Sequence, residues 1–150
     1  MAAITLGEIL EHVEEFEEIL RDFYAKLSEK TTHEGVRLLT EYMSRHSLHI
    51  HELLKELNPS RKKTICSTPL PYTPHFPGKH CVDLVKLPAD PTAIEVLDAA
   101  VSFDECLVQM YHSVADQPVS QDIKDFFESL IRNLEKDEVE LKKIKAMDYF

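Results

Sequence analysis

Six of the eight prolines fall between residues 58 and 90, and they divide the 150 residues into two halves of the same kind. Proline lacks a backbone N–H and clashes with the preceding helical turn, so no long helix can run through such a stretch. On either side of it, apolar residues recur at the spacing of an amphipathic helix. Upstream, Thr5 and Glu8 form a candidate capping box ahead of Ile9, Val13, Phe16, Leu20, Phe23 and Leu27, which predicts a helix to about Lys30. Thr31 and Glu34 open a second, with Val36, Leu39, Met43, Ile50, Leu53 and Leu57, until Asn58-Pro59 stops it. Downstream, Asp90-Pro91 with Thr92 and Glu95 starts a third helix through Ile94, Leu97, Val101, Leu107, Val108, Tyr111 and Val114, ended by Pro118. Ser120 opens a fourth through Ile123, Phe127, Leu130, Ile131, Leu134, Leu141 and Ile144.

Helices of about 25 residues are roughly 37 Å long. Two helical hairpins follow, and the connection over about 58–90 is long enough to run the length of a bundle. The predicted fold is all-α, one domain over 1–150, with the single long crossover of ferritin-like four-helix bundles. Only three glycines occur, with no Asn-Gly or Asp-Gly pair, so a hairpin-rich β fold lacks its turn chemistry.

The formal charge of −10 disfavours nucleic acid and anionic membrane surfaces as partners. Six glutamates in the first twenty residues and no long apolar run predict a cytoplasmic protein without a membrane span. Cys66, Cys81 and Cys106 are odd in number and widely spaced, so neither a disulfide framework nor a rubredoxin-type iron site is expected. A zinc site from Cys66, His75, His80 and Cys81 matches no zinc spacing and is set aside.

The halves resemble one another. An offset of 87 superposes Phe16 on Phe103, Glu17 on Asp104, Leu20 on Leu107 and Tyr24 on Tyr111. In each half an acid precedes a tyrosine by seven residues, two turns along one helical face. Further polar residues interrupt the apolar lines. His46 and His49 stand at i, i+3 in the second helix, a chelating spacing, and Asp104 takes an apolar position in the third. Glu135 and Glu138 repeat the i, i+3 arrangement in the fourth, and Glu17 borders the stripe of the first. Burying such groups costs several kcal/mol unless they satisfy one another or bind cations. Carboxylates with imidazoles suit iron, manganese or zinc, and two ions would offset the negative charge.

The two-hairpin layout, the acid-to-tyrosine spacing and the segment IRNLEKDEVELKKI resemble the rubrerythrin-like branch of the ferritin-like superfamily. That resemblance implies a dinuclear iron or manganese centre with one carboxylate from each of helices one and three and a Glu-x-x-His pair from each of helices two and four. Glu17 and Asp104 match the single acids, His49 the second-helix histidine and Glu135 the fourth-helix glutamate. His46 replaces a glutamate and Glu138 a histidine. The resemblance further implies reduction of peroxide or dioxygen, or oxidation of iron, with electrons from a separate donor protein. Tyr24 and Tyr111 would then act beside the metals. A homodimer is expected. The competing expectation is a metal-free bundle serving as a binding or regulatory module, whose buried polar groups set register.

Overall fold

The computed structural model describes residues 4–45, 50–74 and 79–147. Among the described residues the chain forms seven helices and no strand: α1 (Leu6–Lys30), α2 (Glu34–Ser44), α3 (Ile50–Glu56), α4 (Pro59–Ser67), α5 (Lys79–Leu84), α6 (Ala93–Ala115) and α7 (Gln121–Met147). No helix among them is long and apolar enough to cross a membrane.

Local signals set most helix ends. The Thr5 hydroxyl accepts from the Glu8 N–H at 3.3 Å and caps α1. Thr92 and Glu95 make the reciprocal box at the start of α6, and the Ser120 hydroxyl accepts from the Ile123 N–H at 3.4 Å at the start of α7. The Asn58-Pro59 pair that was expected only to stop a helix also starts one. Asn58 accepts from the Arg61 N–H at 2.8 Å with proline in the first turn, so α4 opens the crossover. The predicted second helix is described as α2 and α3, on either side of residues 46–49.

The expected Thr31–Glu34 box does not form. His33 occupies the N-cap of α2 without a side-chain cap bond, while Thr31 closes α1. The threonines are recruited instead by Asp90. The Thr31 hydroxyl donates to Asp90 Oδ1 at 3.2 Å, the Thr32 N–H donates to the same oxygen at 3.3 Å, and the Thr32 hydroxyl donates to Oδ2. The Thr32 hydroxyl does most to hold the Asp90 carboxyl below its usual range; partial desolvation opposes this, and the Thr32 N–H, the Thr31 hydroxyl and His33 add to the lowering. A carboxylate whose folded pKa is depressed stabilises above its unfolded pKa, and that contribution is lost as pH falls through the folded value. The melting deficit of Asp90→Ala relative to wild type should therefore be fully present at neutral pH and disappear in acid. Thermal melts across that range check it, and a deficit independent of pH would contradict the charge-based tie.

The crossover is pinned along its path. The Leu6 N–H donates to Thr68 O and the Leu70 N–H to Ile4 O, both at 2.9 Å. Gln117, just past α6, then clips the Tyr72 backbone through bonds of 2.9 and 2.8 Å. The far end is Asp90 at the α1–α2 turn, so the connection passes from one end of the bundle to the other, and α1 and α6 run antiparallel. Between these anchors, α5 lies against both α1 and α6.

Gly7 marks the closest approach of α4 to α1. A Cβ there would stand 2.9 Å from the Cys66 carbonyl oxygen and 3.2 Å from Cys66 Cβ. Alanine gains up to ~1 kcal/mol of helix propensity, but displacing a backbone carbonyl outweighs it. Gly7→Ala should lose a net ~1–2 kcal/mol in urea denaturation; a net gain would show that α4 yields freely.

One connected cluster of buried side chains draws on both hairpins and on the crossover. All eight residues matched by the offset of 87 lie in it or among its buried polar members: Phe16, Glu17, Leu20 and Tyr24 on α1, and Phe103, Asp104, Leu107 and Tyr111 on α6. Phe103 packs edge-on against Phe23 and Tyr24, with centroids 5.3 and 6.3 Å away, and so ties α6 to α1.

Candidate metal centre

Glu17 and Asp104 are the two carboxylates buried among the described residues, at 3% and 5% exposure. Each stands twelve residues beyond its helix's capping threonine, Thr5 or Thr92, which puts both near mid-length. Because α1 and α6 are antiparallel, each acid faces the other helix's tyrosine. Burial, then the Asp104 charge, pushes the Tyr24 phenol far above its ordinary value. Burial, then Glu17 and Asp104, does the same to Tyr111. Both phenols therefore keep their protons throughout the physiological range, and each O–H is available to donate to an oxygen acceptor.

The Glu17 carboxylate is met from the solvent side, where Arg21 donates to Oε1 at 2.9 Å across one helical turn. The Tyr111 ring packs against Phe127 at 5.7 Å, and its hydroxyl is buried with no hydrogen-bond partner among the described residues. An unsatisfied buried hydroxyl costs roughly 1–3 kcal/mol. Tyr111→Phe should accordingly raise the stability of the metal-free protein by about 1 kcal/mol in denaturant titrations. A loss of similar size would mean that the hydroxyl has a hydrogen-bond partner in the folded protein.

Glu135 and Glu138 are not brought into this layer. Around them on α7, Leu130, Ile131, Leu134 and Leu141 are buried, whereas Glu135 is exposed and Glu138 half-buried. There the two line a surface groove of about 360 Å³ with Glu105, Val108 and Gln109 of α6 and Val139 of α7. Partial burial, first, and the Glu105 charge push the Glu138 carboxyl up; Lys142 pulls it down and Glu135 adds to the rise. The i, i+3 spacing holds, but the two acids differ in exposure.

His46 and His49 lie outside the described residues, as does His75. Among the described residues no group of three or more histidine, cysteine or acidic side chains is close enough to hold a metal. The buried core thus supplies two oxygen donors, Glu17 and Asp104, whose chemistry suits iron or manganese; Glu135 and Glu138 do not fit the same centre as placed.

Sulfur was set aside at the sequence level, and that expectation is corrected. Cys81 of α5 and Cys106 of α6 are joined in a disulfide, while Cys66 remains a free thiol. No spacing rule announces this pair, because the crossover path alone carries Cys81 to α6. The bond also removes Cys81 from any zinc site. Glu105 and Asp90 were likewise missed; each looks like an ordinary surface acid until its neighbours from other elements are known.

Comparisons with protein-family models, with curated proteins and with solved structures found no match to this chain.

Proposed function

We propose that this chain is a metal-binding protein on a ferritin-like four-helix scaffold, acting in the reduction of peroxide or dioxygen or in the oxidation of iron. The observation that carries the reading is the pair of carboxylates buried at matched positions of two antiparallel helices in an otherwise apolar core. Two buried acids 87 residues apart in a repeated setting are costly to keep unless they serve something. In this reading Glu17 and Asp104 hold the ion together with His46 and His49, whose i, i+3 spacing in the sequence suits chelation. Two carboxylates and two imidazoles suffice for one ion, and a second, making the centre dinuclear, calls on Glu135 and Glu138 to turn in from their groove. Iron, or manganese, bound there would supply one-electron redox chemistry; zinc would not.

The chain's own residues do the rest. Tyr111 and Tyr24 hold their phenolic protons next to the acids and present them as hydrogen-bond donors to an oxygen substrate. Phe103, Phe127 and Leu134 exclude water around them. A separate donor protein would deliver electrons, and a homodimer belongs to the same proposal.

The second reading, a metal-free binding or regulatory module, has one specific observation in its favour: Arg21 already pairs with Glu17 at 2.9 Å. Elemental analysis separates the two. Protein purified without chelator should carry transition metal that is lost in Glu17→Gln/Asp104→Asn and in His46→Ala/His49→Ala, each checked for folding by circular dichroism. Retention of a second equivalent only while Glu135 and Glu138 are intact would mark a dinuclear centre. A wild-type chain that stays metal-free after anaerobic loading with ferrous iron would overturn the first reading and leave the second.

A further inference from the structure

We infer that Cys81 and Cys106 form a reversible thiol–disulfide latch that docks α5, and with it the crossover, onto the α1–α6 pair. The bond joins a helix of six residues to one of 23, with Cα atoms 6.6 Å apart, within the span of a disulfide. The two partners differ greatly in what else holds them. α6 has a reciprocal capping box and a buried face running from Ala93 to Ala115. α5 is far shorter than the ~12 residues at which an isolated helix becomes even marginal in water. Of its described side chains, Cys81 is buried, Val82 is half-buried and Asp83 is exposed. The docking of α5 therefore depends on its crosslink, which makes α5 an element with two states whose balance follows the oxidation of one sulfur pair.

The exposure of the two sulfurs suits such a cycle. Cys106 is the more exposed of the two residues, half-buried, while Cys81 is buried at 4% exposure. An external dithiol attacks Cys106 Sγ, and Cys81 leaves as a thiolate and takes a proton. Its second sulfur then displaces Cys106, so the donor departs as a disulfide and two electrons have passed to the protein. Cys81 as a buried thiol behaves as a small apolar side chain, so reduction strands no charge in the core. A hydroperoxide reverses the cycle. With hydrogen peroxide, the Cys106 thiolate attacks one oxygen to give a sulfenic acid and water, and the Cys81 thiol displaces the second oxygen as water to restore the bond. The latch stands whether or not Glu17 and Asp104 hold a metal.

The test uses full-length chain carrying Cys66→Ser, equilibrated in mixtures of reduced and oxidised dithiothreitol. Alkylation with intact-mass readout counts free thiols, and hydrogen exchange reports each helix. Under native conditions both cysteines should become alkylatable while helicity is unchanged. Exchange across 79–84 should rise by about tenfold or more with α6 unaffected, and peroxide should restore the slow state. Cys106→Ser should reproduce the reduced pattern; if that variant does not fold, the reduced chain decides alone. Thiols that appear only on global unfolding would make the bond a permanent crosslink and overturn the latch. So would equal exchange of 79–84 in both redox states, or reoxidation that yields only bonds between chains.

Discussion

Phe103→Ala is expected to remove about 4 kcal/mol of unfolding free energy. Phe103 is fully buried, and its ring meets Phe23 at 5.3 Å and Tyr24 at 6.3 Å, so the other hairpin packs against it directly. Removing the ring deletes both edge-on contacts and leaves a cavity that two long, antiparallel helices cannot collapse without sliding along their length. It also releases Tyr24, whose phenol lies under the influence of Asp104, so the metal affinity proposed for the centre should fall with stability. Urea denaturation reads the loss. Ile94→Ala, on the same helix but 43% exposed, should change stability by less than ~0.5 kcal/mol. A loss at Phe103 below ~2 kcal/mol would mean that the hairpins repack readily and that the α1–α6 contact does not define the core.

Breaking the Cys81–Cys106 bond is expected to lower global stability by about 3.5 kcal/mol, equivalent to a fall of roughly 10 °C in Tm for a chain of this size. The reason lies in the unfolded chain, where a bridge across 25 residues of sequence forbids most of the conformations that segment would otherwise explore. Calorimetry of the Cys66→Ser protein with and without reductant measures it. The reduced chain should still fold, because a domain of 150 residues typically has 5–15 kcal/mol in hand and neither hairpin is closed by the bond. A drop below ~1 kcal/mol would show that the anchors at Thr68, Tyr72 and Asp90 already restrict the crossover before folding is complete. This global loss is distinct from the local release of α5, which hydrogen exchange reports separately.

The long helices and most of their ends were legible in the residues themselves, but α4 and α5 inside the crossover were not. α1 spans Leu6–Lys30 as its apolar line and Thr5 predict, and Thr92 with Glu95 starts α6. The offset of 87 was legible too, and its four pairs are buried together. Three local patterns met partners that no local spacing shows. Thr31 with Glu34 has the form of a capping box, Asn58-Pro59 reads as a stop, and Glu135 with Glu138 reads as a chelating pair. Each would hold for an isolated segment. Asp90, arriving from 58 residues away in sequence, captures the threonine hydroxyls, so that box does not form; Asn58-Pro59 ends one helix and caps the next, which packs on α1; and Glu135 lies exposed and Glu138 half-buried along the groove shared with α6.

By itself the sequence determined that this chain is helical, where its long helices run, and that two similar halves are separated by a proline-rich crossover. Those properties are local: a period of 3.6 residues, a capping hydroxyl and a missing N–H act over a few residues and can be read in place. Only the tertiary structure decided which acids share the core, which threonines hold Asp90, and that Cys81 meets Cys106. Each residue turns a helix face by about 100°, so a side chain at the border of a stripe is sent inward or outward by the helix packed against it. The path of a crossover is likewise set by its anchors rather than by its composition. Glu17 and Glu135 both border an apolar stripe in an acidic segment, and one is buried while the other is exposed. The difference between them lies in their neighbours across the bundle.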